Sequence, residues 1–185
     1  MKVIAPKKYK ETEFVPLLIE LAKLFQPGVY CELGVKKCYT FNRMLPYVGK
    51  GIAIDIQDCY DYINKSKRNW EFHQCDSKQF VEKYDGPMID FLFIDANHSC
   101  KSVLEDLRLM KPLVKAWTGL VFLHDTYPVE PGLLQEGYCY DAWRAANTIW
   151  SREDCWEIVT LPGPWAGLSI LRRLVDGKHG YMDRR

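Results

Sequence analysis

The chain has 185 residues, long enough to bury one sizeable core and short for two ordinary domains, so residues 1–185 read as a single domain. Apolar residues make up 48% and charged residues 26%, values that exclude disordered and membrane-spanning compositions. The net charge of +1 supplies no global field for nucleic acid or an anionic membrane. The opening stretch MKVIAPKKYKETEF has no apolar run of signal-peptide length, so cytoplasmic residence is the expectation. Cys31, Cys38, Cys59, Cys75, Cys100, Cys139 and Cys155 form no CxxC pair and suit a reducing compartment as packing residues.

Residues 11–25 place Phe14, Leu17, Leu18, Leu21 and Leu24 at helical spacing ahead of Gln26-Pro27-Gly28, which predicts an amphipathic leading helix. Five short apolar runs follow, VYCELG, GIAIDI, WEFHQCD, MIDFLFIDA and GLVFLHD, rich in β-branched and aromatic residues. Between and after them, helices are predicted over residues 39–47, 60–67, 77–83, 99–114 and 140–151. This βαβ rhythm predicts an α/β domain with a parallel sheet. The last two runs, CWEIVTLP and GLSILRR, are joined by a Gly-Pro-Trp-Ala link too short for a crossover helix. They are expected to pair as an antiparallel hairpin, so that the sheet ends in a reversed strand. Residues 29–172 form the expected core, and the polar stretch 176–185 reads as a loosely attached tail. There is no internal repeat.

Each of the five parallel runs finishes at an acid: Glu32, Asp55, Asp76, Asp95 and Asp125. In an open α/β sheet the carboxyl ends of parallel strands share one edge, where ligands bind, so these acids are expected to converge on one crevice. Any one of them can instead cap a helix, and Asp76 before Ser77 suits both roles. Glu32 and Gly34 open the first strand-to-helix turn, where glycine admits a ligand to the backbone. Asp55 stands where an acid can accept both hydroxyls of a ribose. A dinucleotide site would show three glycines in that turn, whereas Gly34 is followed by Val35, Lys36 and Lys37. One glycine suffices for a nucleoside joined to an amino acid, and S-adenosylmethionine fits better.

Asp95 and Asp125 end runs expected to be neighbours, with backbones roughly 5 Å apart, so both carboxylates can reach one divalent cation, magnesium by preference. His98, three residues past Asp95, is the expected general base for a substrate hydroxyl, or else packs on the following helix. His124 precedes Asp125 and by strand alternation points away from it unless the strand has already ended, which makes it a supporting residue or an additional metal ligand. A zinc site from His73, Cys75, His98 and Cys100 would need three loops to agree. Tyr127, Trp143 and Trp165 are candidates for the substrate side.

Taken together, VYCELGV, GIAIDIQD, DFLFIDANHSCKSVLEDL and GLVFLHDTYP resemble the small class I O-methyltransferases related to macrocin O-methyltransferase and to the cephalosporin hydroxylase-like group, from about Val29 to Arg172. The most specific part is IDANHS followed about thirty residues later by LHD. The resemblance implies a Rossmann-like class I methyltransferase sandwich: a mostly parallel seven-stranded sheet with an antiparallel C-terminal strand and helices on both faces. It implies cofactor-binding roles for Glu32, Gly34, Asp55 and Asp76, metal-binding roles for Asp95 and Asp125, and a base at His98. Asp95 also falls at the cofactor, and His124 stands where some relatives place an acid. Cys38 replaces a frequent glycine and Cys100 a frequent aromatic. The expected activity is metal-assisted O-methylation of a small-molecule acceptor, with no nucleic-acid or membrane partner and with a homodimer left open. The alternatives are a metal-dependent hydroxylase, which needs His124 as a ligand, and a non-catalytic binder of an adenosine ligand.

Overall fold

A computed structural model describes residues 13–152, 155–163 and 166–174. The first helix, α1 (Val15–Phe25), buries Val15, Leu18 and Ala22 and stops where Gln26 turns into the left-handed region. The start of the expected helix, residues 11–12, lies outside the described residues, as do the tail 176–185 and Trp165.

The parallel strands β1 (Val29–Leu33), β2 (Lys50–Asp55), β3 (Trp70–Gln74), β4 (Phe91–Ile94) and β5 (Leu120–His124) follow, together with the hairpin strands β6 (Trp156–Leu161) and β7 (Leu168–Arg173). They form one seven-stranded sheet in the order β3-β2-β1-β4-β5-β7-β6. The hairpin is present, with one correction to where it lies. The reversed strand β7 sits inside the sheet, paired antiparallel with both β5 and β6, and β6 forms the edge. The short link obliges β6 and β7 to pair, and β7 carries Leu168, Ser169 and Leu171 buried where β5 needs a neighbour.

Helices cover both faces because the central strands bury both of theirs. Tyr30, Phe91, Phe93 and Phe122 point to one side, where they meet Phe14, just before α1, Leu18 from α1, and Phe41 and Met44 from α2 (Tyr39–Met44). Cys31, Leu33, Leu92, Ile94 and Leu123 point to the other. There they meet Phe80 from α3 (Ser77–Lys83), Val103, Leu107 and Met110 from α4 (Cys100–Met110), and Ala145 and Ile149 from α5 (Ala142–Arg152). The alternation along each strand is what divides one apolar run between two cores.

Of the five helices expected after α1, four stand near their expected bounds, α2 and α4 finishing in 3-10 turns. The helix expected over residues 60–67 is absent apart from a 3-10 turn at Tyr60–Tyr62. Side chains occupy the backbone groups that a helix would use. Asp58 accepts from Tyr60 N (3.1 Å), Asn42 Oδ1 from Asn64 N (2.7 Å) and Asn64 Oδ1 from Ser66 N (3.0 Å), while Asn42 Nδ2 donates to Tyr62 O (2.8 Å). Among the described residues no helix is long and apolar enough to cross a membrane.

Candidate active site

The carboxyl edge of the sheet opens into a cavity of about 920 Å³. Glu32, Gly34, Asp55, Asp76, Asp95 and His98 all line it, so the topology brings to one place four of the five strand-end acids. Asp125 lies fully buried behind them, within reach of His98.

At the β1 end, Gly34 has φ +89°, and a Cβ there would lie 2.5 Å from the Asp95 carbonyl oxygen, so only glycine lets β1 turn beside β4. Cys38 follows at φ 55°, also left-handed, which explains why glycine is a natural occupant of that position. Its buried thiol contacts the Cys59 carbonyl at 3.7 Å. Glu32 is buried and accepts a 2.5 Å hydrogen bond from the Tyr30 hydroxyl. Burial pushes the Glu32 carboxyl well above its ordinary range, and the Tyr30 bond only partly opposes this. Asp55 is held by two backbone amides, Lys36 N on Oδ2 and Gln57 N on Oδ1, both at 2.9 Å, which leaves outward lone pairs on each oxygen. Asp76 combines the two roles open to it. It caps α3 through a capping box with Gln79, accepting from Gln79 N at 2.7 Å, and also borders the cavity.

At the β4–β5 end the strands are paired, and β5 finishes at His124. Asp125 then adopts φ 59°, so alternation no longer applies and both residues approach Asp95. His124 Nδ1 lies 3.1 Å from Asp95 Oδ1 and 3.5 Å from Asp125 Oδ1. Its ring packs on Phe14 at 4.5 Å between centroids, and its Nε2 is buried with no hydrogen-bond partner among the described residues. His98 places Nε2 3.4 Å from Asp95 Oδ1 and Nδ1 3.1 Å from Asp125 Oδ2, with the Tyr138 carbonyl also on Nδ1. Asp95, His98 and Asp125 each offer a ligand atom within 4.8 Å of the others, a donor set of two carboxylates and an imidazole that fits a divalent cation. Among the described residues no other His, Cys, Asp or Glu group converges in this way, so the four-residue zinc set is not assembled.

Burial works against a charged His98, but Asp95, Asp125 and the Tyr138 carbonyl outweigh it and hold the imidazole up at about 9. Burial also opposes charge on Asp95, yet His124 and His98 hold its carboxyl below the ordinary range. Asp125 goes the other way, raised by burial and by the neighbouring Asp95 despite His124. In the cation-free protein, His98 therefore stabilises the fold fully below its ordinary value of 6.5, and that contribution is lost as pH rises through about 9. The expected result is that the melting temperature falls from pH 7 to pH 9.5 in the cation-free protein, and falls less in His98→Gln. Parallel profiles would contradict it.

Sequence reasoning missed the residues that brace this cluster. Tyr138 and Cys139 descend from the connection before α5. The buried Cys139 thiol donates to Asp125 Oδ1 at 3.5 Å, and Asp141 accepts from Cys100 N at 2.6 Å, fixing the start of α4. Nothing in their spacing signals this. Tyr30, two residues before Glu32 and hence on the same strand face, was within reach of the alternation argument. Tyr127 and Trp143 do not line the cavity.

A family model described as Methyltransferase domain matches residues 31–126, just over half of the chain. The chain belongs to that methyltransferase family. The match begins within β1 and ends one residue past Asp125, so it takes in all five strand-end acids and both histidines of this methyltransferase's cluster. No curated protein matches the sequence. Among solved structures, the O-methyltransferase TomG from Streptomyces achromogenes in complex with SAM is 16% identical, with 92% of this chain and 83% of that chain covered and a TM-score of 0.68. An O-methyltransferase from Bacillus cereus in complex with SAH is 15% identical over 91% and 84%, with a TM-score of 0.68. A SAH-bound methyltransferase from Podospora anserina is 13% identical over 91% and 81%, with a TM-score of 0.69. Identities this low establish a shared fold for the methyltransferase, the class I Rossmann-like sandwich with helices on both faces.

Proposed function

We propose that this methyltransferase transfers the methyl group of S-adenosylmethionine to a hydroxyl oxygen of a small acceptor, with a divalent cation, magnesium by preference, held by Asp95 and Asp125 and with His98 beside it as the base. The observation that carries the reading is that one cavity joins a nucleoside-type end, Gly34 and Asp55, to the Asp95–His98 end. Asp55, Asp76, Asp95 and Asp106 line it as carboxylates against Lys36 and Lys37, with the buried Glu32, raised by its burial, beside them. That balance suits a ligand carrying an ammonium and a sulfonium, and opposes a pyrophosphate.

Asp55, oriented by two amides, would take the ribose diol, and the backbone beside Gly34 would admit the amino-acid portion. A bound cation would polarise the acceptor hydroxyl and offset the carboxylate field that keeps a proton on His98. His98, freed of that proton, would take one from the hydroxyl, while the cavity walls set acceptor oxygen, methyl carbon and sulfur in line. His124 supports this arrangement through Asp95, its Nδ1 being engaged there. The bound relatives named above support the cofactor assignment: TomG holds SAM, and the Bacillus cereus and Podospora anserina proteins hold SAH.

Calorimetric titration with S-adenosylhomocysteine, with and without magnesium, tests the reading. Wild type is expected to bind, and Asp55→Ala to bind at least tenfold more weakly, since two charge-assisted hydrogen bonds are worth about 1.5–3 kcal/mol each. Failure of the wild type to bind would sink the cofactor assignment. Binding without turnover of any hydroxylated acceptor would point instead to a non-catalytic binder.

A further inference from the structure

The left-handed turn at Asp125 is gripped by the reversed strand. Ser169, fully buried in β7, donates to Thr126 Oγ1 at 2.8 Å. Its single proton being used there, Thr160 of β6 donates to Ser169 Oγ at 2.7 Å, and Thr126 completes the chain towards the Leu123 carbonyl at 3.5 Å. The backbone is clasped as well. Tyr127 N donates to Ala166 O at 2.6 Å, and a Cβ on Gly167, at φ +86°, would lie 2.2 Å from Tyr127 Cβ. Packing alone does not call for hydroxyls here. The other buried positions of β7 are Leu168 and Leu171, and a buried hydroxyl is costly unless paired. The three hydroxyls stand at the one end of the hairpin that adjoins the acid turn.

We propose that Ser169 and Thr126 are positioning residues for the cation cluster, setting the Asp125 backbone so that its carboxylate meets His98 and a shared divalent cation. The inference rests on the cation reading above and extends it to the β6–β7 hairpin, which lies outside the stretch matched by the family model. Sub-ångström misplacement of one ligand is enough to weaken such a site. The cofactor end, built on β1 and β2, does not depend on this chain of hydroxyls.

The test is Mn²⁺ binding, followed by electron paramagnetic resonance, alongside S-adenosylhomocysteine affinity and melting temperature, for wild type, Ser169→Ala, Thr126→Val and Thr126→Ser. Thr126→Val keeps the shape and removes the hydroxyl; Thr126→Ser keeps the hydroxyl. The expected result is a tenfold or greater loss of Mn²⁺ affinity in Ser169→Ala and Thr126→Val, with Thr126→Ser within threefold and S-adenosylhomocysteine affinity within twofold throughout. Should one variant fail to fold, the other carries the comparison. Wild-type Mn²⁺ affinity in Ser169→Ala or Thr126→Val overturns the inference alone. A wild-type protein that binds S-adenosylhomocysteine but no Mn²⁺ overturns the cation reading, and the inference with it.

Discussion

Gly34→Ala is expected to lower the melting temperature by about 4–20 °C and to abolish S-adenosylhomocysteine binding. The added Cβ would lie 2.5 Å from the Asp95 carbonyl oxygen, 2.6 Å from Ala96 Cα and 2.7 Å from the Asp95 carbonyl carbon. All three are backbone atoms, unable to swing aside as a side chain could. Left-handed strain of roughly 1–2 kcal/mol adds to an overpacking cost of about 1–3 kcal/mol. A kilocalorie shifts the midpoint by about 2–4 °C in a domain of this size. Relief would require β1 and β4 to part at the point where Gly34 and Asp95 border the cavity. Gly137→Ala is the control, since φ is +89° there too but nothing lies within 4 Å of the added carbon. It should incur the strain alone and keep ligand binding. Equal effects at the two positions would mean that the close approach of β1 to Asp95 does not matter.

Asp95→Ala is expected to reduce methyl transfer by about 10²–10⁴-fold, the usual range for disabling acid–base chemistry, and to release His98 from its raised value of about 9. Asp95 Oδ1 is shared, with His124 Nδ1 at 3.1 Å and His98 Nε2 at 3.4 Å. Removing it takes one of two carboxylates from His98 and the nearer one from His124, whose Nε2 already lacks a hydrogen bond among the described residues. The orphaned donor adds about 1–3 kcal/mol of destabilisation. Nuclear magnetic resonance titration of the His98 ring in cation-free protein reads the effect directly. In Asp95→Ala the midpoint should move down towards 6.5, because burial, which lowers it, is no longer outweighed. A midpoint still near 9 would mean that Asp125 and the Tyr138 carbonyl suffice, and Asp95 would lose its place at the centre of the cluster.

The two predictions concern the part of the site most legible in the sequence. Acids at the ends of VYCELG and MIDFLFIDA, with glycine two residues past the first, are local facts. Once strands are parallel, local position along a strand becomes position on a shared edge. The same logic located Asp55 and Asp76. It allowed Asp76 the helix cap that it also makes, but could not say that Asp125 would leave the strand geometry and sink beneath the surface.

By itself the sequence determined the order and kind of almost every element, the division of each apolar strand between two cores, and the single edge on which Glu32, Asp55, Asp76 and Asp95 gather. These follow from periodicity and from turn residues, interactions a chain makes with its near neighbours. Tertiary structure alone decided the rest. Residues 60–67 read as helical by spacing, yet their backbone is claimed by Asn42, about twenty residues earlier, and by acids and amides within the loop. The hairpin could be foreseen, but not that β7 would insert beside β5 and put Ser169 under the Asp125 turn. Nor could the meeting of Tyr138 and Cys139 with His98 and Asp125, because contacts between segments 14 and 40 residues apart depend on how the sheet stacks its connections rather than on any pattern within them.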